Sequence, residues 1–428
     1  MSDQPSHMND QASNMSDQPD ISRDTPLAGL KVLELASVLA GPSVGMFFAE
    51  LGATVLKVEN VTTEGDVTRK WKLSREPADT NISGYFSCVN WGKTSFAVDL
   101  CQEEGLQIIY QLAAQCDIVL VSYKPGDAEK LRVDYPTLKT YNEKLIYAHI
   151  TGYGPQNPRA GFDAIIQAES GFTYMNGEPD GPPTKMPVAL MDVLAAHHLK
   201  EAILLALLYR ERTGKGQHIE ASLFMAGLAS LANQATNWLV GGAIPERIGS
   251  DHPNIVPYGT IYGTKDGKGI VMAAGTDKQF RQLVSVLGRP ELGTDPRYAK
   301  NQDRVKNKEE INGILQSLIG QYDREEILSL LGEKRIPAGG VFNMKEVFEV
   351  PESKEMLLEG DYHDGMHIRG VRSVAFHSEH KMSCSELSPP PHYGAHTRHI
   401  LKEWLDYNEN DIEQLISKGV VYAQEKQQ

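Results

Sequence analysis

Within its first sixty residues the chain sets out a strand, a helix and a second strand. Leu30-Lys31-Val32-Leu33-Glu34-Leu35 has the apolar character of a buried strand. Ala40-Gly41-Pro42 turns the chain, Pro42 suits a helix start, and Ser43 to Leu51 continues with helical spacing. Gly52 ends that helix, and Ala53-Thr54-Val55-Leu56-Lys57-Val58 is a second strand closed by Glu59. Strands joined through a helix pair in parallel and need helices packed on their faces, so the expected class is α/β. Further buried strands are expected at Phe96–Leu100, Asp117–Val121 and Leu145–Ile150, with a helix over Glu103–Ala114.

A chain of 428 residues suits one large or two ordinary domains. Met1-Ser2-Asp3-Gln4-Pro5 recurs as Met15-Ser16-Asp17-Gln18-Pro19, and residues 1–25 read as a disordered tail. Residues 26–225 form the N-terminal part of a large domain. Residues 235–335 read as a smaller domain. It has a hairpin at Gly259–Tyr262 and Ile270–Ala273 and helices near Gln279–Leu287, Lys308–Ile319 and Arg324–Leu331. Residues 345–428 return to the large domain and end in helices over Thr397–Leu405 and Asn410–Lys418. A formal net charge of -14 argues against nucleic acid or an anionic membrane as partner. Cys88, Cys101, Cys116 and Cys384 form no CxxC pair, and the stretch Ile248–Asn254, with Asp251 and His252, has no metal-ligand spacing. No secretory signal or bilayer-spanning run is visible, so a reducing cytoplasm is the expected compartment.

One carboxylate stands out. Asp192 follows Val188-Ala189-Leu190-Met191 and precedes Val193-Leu194-Ala195-Ala196, at the head of a helical pattern over Leu199–Tyr209. An aspartate there can be a helix N-cap. It can also be a nucleophile, because apolar walls strip its hydration while the helix terminus favours its charge. Asp163 and Glu169 are further candidate carboxylates. His197 and His198 are neighbours in a helix and read as packing or surface residues.

Lys124, Lys130 and Arg132 follow the fourth strand, at the sheet edge where α/β proteins bind ligands, and Lys93 lies in a loop of the same half. Such a group in an acidic chain suits a phosphorylated ligand. A dinucleotide is the other cofactor to weigh, with Glu59 as its ribose partner. The first turn, however, has one glycine where that fingerprint has three.

Taken in order, several stretches resemble the class III CoA-transferases, the family of the formyl-CoA and carnitine CoA-transferases. They are Leu27-Ala28-Gly29-Leu30-Lys31-Val32-Leu33-Glu34-Leu35, Ala40-Gly41-Pro42, Leu51-Gly52-Ala53 and Val55-Leu56-Lys57-Val58-Glu59. Thr151-Gly152-Tyr153-Gly154-Pro155, Gln167-Ala168-Glu169-Ser170-Gly171, the Asp192 stretch and Arg212-Thr213-Gly214-Lys215-Gly216-Gln217 follow. The resemblance implies a Rossmann-like large domain, a smaller α+β domain and an interlocked homodimer. It implies a coenzyme A thioester as substrate, a carboxylic acid as partner substrate, no permanently bound cofactor and no metal. Asp192 would be the catalytic nucleophile. The CoA contacts carried over are Val38, Leu39, Ala40, Asn60, Val89, Asn90, Tyr123, Lys124, Lys130 and Tyr153. The formyl-CoA enzymes have glutamine where this chain has Leu39, which points away from formyl and oxalyl substrates. Two other readings stay open: a CoA-binding protein without catalysis, and a 2-methylacyl-CoA racemase of the same family. The racemases carry a histidine where this chain has Phe162.

Overall fold

The computed structural model describes residues 25–363, 365–380, 382–384 and 386–424. Residues 1–24 of the expected N-terminal tail lie outside them. The chain divides into two compact units, one of residues up to Ile150, Ala196–Glu220 and from Leu358 onward, the other of Thr151–Ala195 and Ala221–Leu357.

The first unit is built on a seven-stranded sheet. Its strands in chain order are β1 (Lys31–Leu35), β2 (Thr54–Asn60), β3 (Lys93–Val98), β4 (Ile118–Val121), β5 (Ile146–Thr151) and β6 (Gln217–Ser222), with the short strand Val421–Tyr422 at one edge. The order across the sheet is Val421–Tyr422, β3, β2, β1, β4, β5, β6. β1 pairs in parallel with β2 and β4, β2 with β3, and β4 with β5, while Val421–Tyr422 runs antiparallel to β3. The strand order therefore reverses between β1 and β4, where such sheets open a ligand crevice. Helix α1 (Ala40–Glu50) and helix α2 (Glu103–Gln115) follow their strands as expected. Leu106, Ile109, Leu112 and Ala113 of α2 pack with Leu33, Leu56, Phe96 and Val119 of the sheet and with Ile400 and Leu401 of the closing helix Thr397–Leu405.

β3 differs from its expected extent of Phe96–Leu100. It starts three residues earlier because Lys93 is a strand residue and not a loop cation. Its ammonium is buried, donates to Pro42 O and to Asn90 Oδ1, and pairs with Glu34 at 2.8 Å. A lysine reads as a loop residue until its counter-ion, far away in sequence, is seen.

The second unit contains the expected hairpin as β7 (Tyr258–Gly263) and β8 (Gly269–Ala273), with β9 (Ala338–Gly340) antiparallel on the far side of β8. Phe280, Leu283 and Val284 of Asp277–Val286, Ile311, Leu315 and Ile319 of Lys308–Ile319, and Ile327 and Leu331 of Arg324–Glu333 pack with Tyr262, Ile270 and Met272 of that sheet. The same unit carries helix α3 (Asp163–Glu169) and the start of helix α4 (Leu190–Thr213). Among the described residues no helix is long and apolar enough to cross a membrane.

Candidate active site

Helix α4 begins nine residues before its expected start, because the run around Asp192 is itself helical. Val193 N donates to Ala189 O at 3.2 Å, which makes Ala189 the residue before the first turn and Asp192 its third member. Asp192 is therefore not the N-cap. That service comes from another helix: Asp163 Oδ1 accepts from Met191 N at 2.9 Å. Gln167, fully buried one turn on, donates to Asp163 Oδ2 at 2.8 Å and to Val188 O at 3.2 Å, and accepts from Met186 N at 2.8 Å. One buried amide thus fixes the capping carboxylate and the strand of chain that leads into α4.

Glycines let the backbones come this close. A Cβ on Gly152 would stand 2.5 Å from Gly161 Cα, so the Thr151-Gly152-Tyr153-Gly154 turn touches the chain that enters α3. A Cβ on Gly227 would meet the Met191 sulfur at 2.9 Å, beside Asp192.

Relieved of capping, the Asp192 carboxylate accepts no hydrogen bond from the described residues. Burial, and then the charge of Asp163, push its pKa up to about 7. The positive end of α4 works in the opposite direction and keeps an anion accessible at neutral pH. The result is a carboxylate that is weakly hydrated, basic for its kind, and about half ionised near pH 7. If the ionised form attacks, adduct formation rises about tenfold from pH 6 to pH 8. Asp163→Asn removes the repelling charge and moves that profile to lower pH. Single-turnover acylation measured across this range checks both; a flat profile would remove Asp192 as the titrating group.

The first unit holds a crevice of about 250 Å³ at the carboxyl ends of its strands. Leu35, Ala36 and Ser37 close it from β1, Val58, Glu59 and Asn60 from β2, and Ser122 and Tyr123 from the end of β4. This is the switch point of the sheet. Val38 sits beside it with φ 71°, and its amide donates to Asp66 Oδ2 at 3.2 Å, so a left-handed turn is held open by a carboxylate. Leu39 is the residue before α1 and Ala40 its buried first member. Asn60 Oδ1 accepts from Thr62 N at 2.8 Å and caps a short turn at the end of β2. Lys124 is exposed in the loop after β4. Lys130 is exposed and paired with Asp127 at 2.9 Å, and Arg132 is paired with Glu103 at 2.8 Å.

Other expected residues lie elsewhere. Val89 is buried. Asn90 is buried with both ends of its amide engaged, by Phe86 O and by Lys93. Lys93 leaves the expected basic group for the buried network described above. Tyr153, in the second unit, donates to Glu169 Oε2 at 2.7 Å and lies under the Arg159 guanidinium, 4.5 Å from its ring. Glu169 is thereby an exposed partner of Arg159, held below the ordinary carboxylate range by Arg159 and Tyr153. His197 and His198 are exposed, as expected. Phe162, 63% exposed, precedes α3 and offers no proton.

The ribose role weighed for Glu59 is overturned. Its carboxylate is buried and saturated: Oε1 accepts from Arg69 Nη2 at 2.7 Å and Ser95 Oγ at 2.6 Å. Oε2 accepts from Arg69 Nε at 2.8 Å and Asp66 N at 2.9 Å. No lone pair is left for a ribose hydroxyl.

The first unit thus offers a mostly parallel sheet with a crevice at its switch point, and the second a desolvated aspartate in the first turn of a long helix. The chain matches CoA-transferase family III over residues 27–397 and belongs to that family. It is a CoA-transferase that acts on coenzyme A thioesters. It is 38% identical over 390 residues to the succinate–glutarate CoA-transferase of Agrobacterium fabrum, covering 89% of this chain and 96% of that one. It is 37% identical over 405 residues to the succinyl-CoA:glutarate CoA-transferase of Mus musculus, covering 94% and 91%. Among solved structures, a CAIB/BAIF family protein from Brucella suis superposes with a TM-score of 0.80 at 38% identity, over 89% of this chain and all of the other.

Proposed function

We propose that this protein moves coenzyme A from succinyl-CoA, or another dicarboxylyl-CoA, to a carboxylic acid acceptor through covalent chemistry on Asp192. The observation that carries the mechanism is that Asp192 is desolvated, relieved of capping and close to half ionised at neutral pH. The substrate class rests on the names of the relatives above, and on a likeness of Ile255-Val256-Pro257-Tyr258 and Thr264-Lys265-Asp266-Gly267 to succinate–hydroxymethylglutarate CoA-transferase.

A carboxylate oxygen of Asp192 attacks the thioester carbonyl, the C–S bond breaks, and CoA leaves as thiolate. The product is a mixed anhydride. The thiolate then attacks the aspartyl carbonyl and expels the donor acid as its carboxylate, leaving an aspartyl-CoA thioester. The acceptor carboxylate attacks that thioester, and the same two steps run in reverse order. No proton needs to be shuttled, so a lone carboxylate suffices, provided water is kept from the anhydride. In this reading Val38, Leu39, Ala40, Asn60, Tyr123, Lys124 and Lys130 contact CoA, and Val89, Asn90 and Tyr153, engaged elsewhere, do not.

Incubation with succinyl-CoA followed by hydroxylamine and peptide mass analysis is expected to place the modification on Asp192. A panel of acceptor acids is expected to give the fastest exchange with a dicarboxylate such as glutarate. Turnover without any trappable aspartyl adduct would sink the mechanism, and a preference for monocarboxylates would sink the substrate class.

The same reading makes the protein a homodimer. Leu239 and Val240 of the second unit are 76% and 86% exposed, and Trp238 beside them is 55% exposed, which is costly for an isolated chain. Light scattering is expected to give twice the chain mass; a monomer at micromolar concentration would refute it. The same reading places it in a reducing compartment, the cytoplasm, since Cys88, Cys101, Cys116 and Cys384 form no CxxC pair.

A further inference from the structure

Two neighbouring strands of the first unit carry a cluster that CoA transfer does not use. His149 on β5, and His218 and Glu220 on β6, each bring a ligand atom within 4.8 Å of the other two. His218 and Glu220 are two residues apart in one strand and so point to the same face.

His149 is the buried member, and its Nε2 lies 2.8 Å from Tyr123 O. A ring nitrogen that meets a carbonyl carries the proton, so the lone pair of neutral His149 is on Nδ1. Metal-binding histidines are commonly oriented in this way, by a carbonyl on the nitrogen remote from the ion. His218 is positioned by two rings. Tyr135 stacks on it at 5.5 Å and Tyr147 meets it edge-on at 5.2 Å. The two imidazoles are themselves stacked, at 6.2 Å and 20°.

We propose that His149, His218 and Glu220 bind one divalent transition-metal ion of the zinc class, leaving a further coordination position open to solvent. Two imidazoles and one carboxylate suit zinc or cobalt and are poor ligands for magnesium or calcium. The ion would fasten β5 to β6. Through His149 it would also steady the Tyr123 carbonyl, at the residue that closes the strand-end crevice.

The test uses the full chain, purified without a histidine tag, stripped with a chelator and titrated with cobalt(II) chloride. One equivalent is expected to produce visible d–d absorption that zinc displaces. Zinc is expected to raise the melting temperature by a few degrees, and magnesium to leave it unchanged. His218 is exposed, so His218→Ala is expected to fold, as circular dichroism checks, and to lose the cobalt spectrum. Glu220→Gln is expected to weaken zinc binding at least about tenfold. Zinc binding to His218→Ala with the affinity and stoichiometry of the parent would overturn the proposal. So would a parent protein that gives no cobalt spectrum at millimolar metal.

Discussion

Asp192→Asn is expected to lower CoA exchange by about 10⁴-fold or more, while making the folded chain more stable at alkaline pH. The first effect follows from the loss of the attacking oxygen: an amide does not open a thioester, and no other described group in the first turn of α4 can replace it. The second follows from the raised pKa. In the unfolded chain Asp192 titrates near the ordinary 3.8, and in the folded chain near 7. Its contribution to stability is therefore greatest below pH 4, where both states are protonated. It declines as pH rises between these values, and the loss is complete above about pH 7. Asparagine has no such dependence. At pH 8 the variant should gain on the order of 1–3 kcal/mol, a figure kept below the full shift because the side chain is only partly buried. The gain should shrink at pH 5. Urea unfolding of both proteins at the two pH values, beside exchange assays, separates the effects. Wild-type turnover in the variant would end the nucleophile assignment. A variant less stable than its parent at pH 8 would mean that the carboxylate is not held out of water.

The two effects share one cause, and it could be read only in part from the sequence. The apolar neighbours of Asp192 were visible, and so was its place near a helix start. What removes it from capping was not. Asp163 is 28 residues away from the Met191 amide it accepts from, and Gln167 is 21 from Val188. Nothing local marks either as a partner. The sheet was more legible, because strands buried on both faces are continuous apolar runs bounded by turns. It failed where a strand carries charge. Lys93 pairs with Glu34 across 59 residues, and that distance makes a buried lysine look like a loop residue. Glu59 misled in the opposite way. An acidic residue at the end of a second strand fits a ribose, yet Arg69, ten residues on, claims both of its oxygens. The proposed ligand set of His149, His218 and Glu220 also depends on pairing between strands, which no local pattern marks.

Arg69→Met should strongly destabilise the first unit, which does not contain Asp192. Lys57, Lys93 and Arg69 face Glu34, Glu59 and Asp66 beneath the strand-end crevice, all six side chains buried and the charges balanced. Burial opposes the ionisation of Glu59, but the Arg69 guanidinium, helped by Lys57 and the Ser95 hydroxyl, more than offsets it and holds that carboxyl below the ordinary range. Arg69 also donates to Asn81 O and Pro391 O, each at 3.0 Å, and lies 3.7 Å from the Phe86 ring centre. Methionine keeps most of the stem and loses the charge, so Glu59 is left buried without its cation, at a cost of about 3–5 kcal/mol. Because the folded pKa of Glu59 is depressed, the pair contributes above about pH 4.5 and the contribution is lost as pH falls through the folded value. The penalty of Arg69→Met should therefore shrink in acid. Removing both charges, as Arg69→Met with Glu59→Leu, should cost less than Arg69→Met alone, since no unpaired ion remains. The effect should also reach the strand-end crevice, where CoA is proposed to bind. Asp66 N donates to Glu59, and the Asp66 carboxylate holds Lys57 and the left-handed amide of Val38. A rise in KM for the acyl-CoA should accompany the loss of stability in the single variant. A urea midpoint unchanged from the parent at pH 7 would show that the network does not hold this turn.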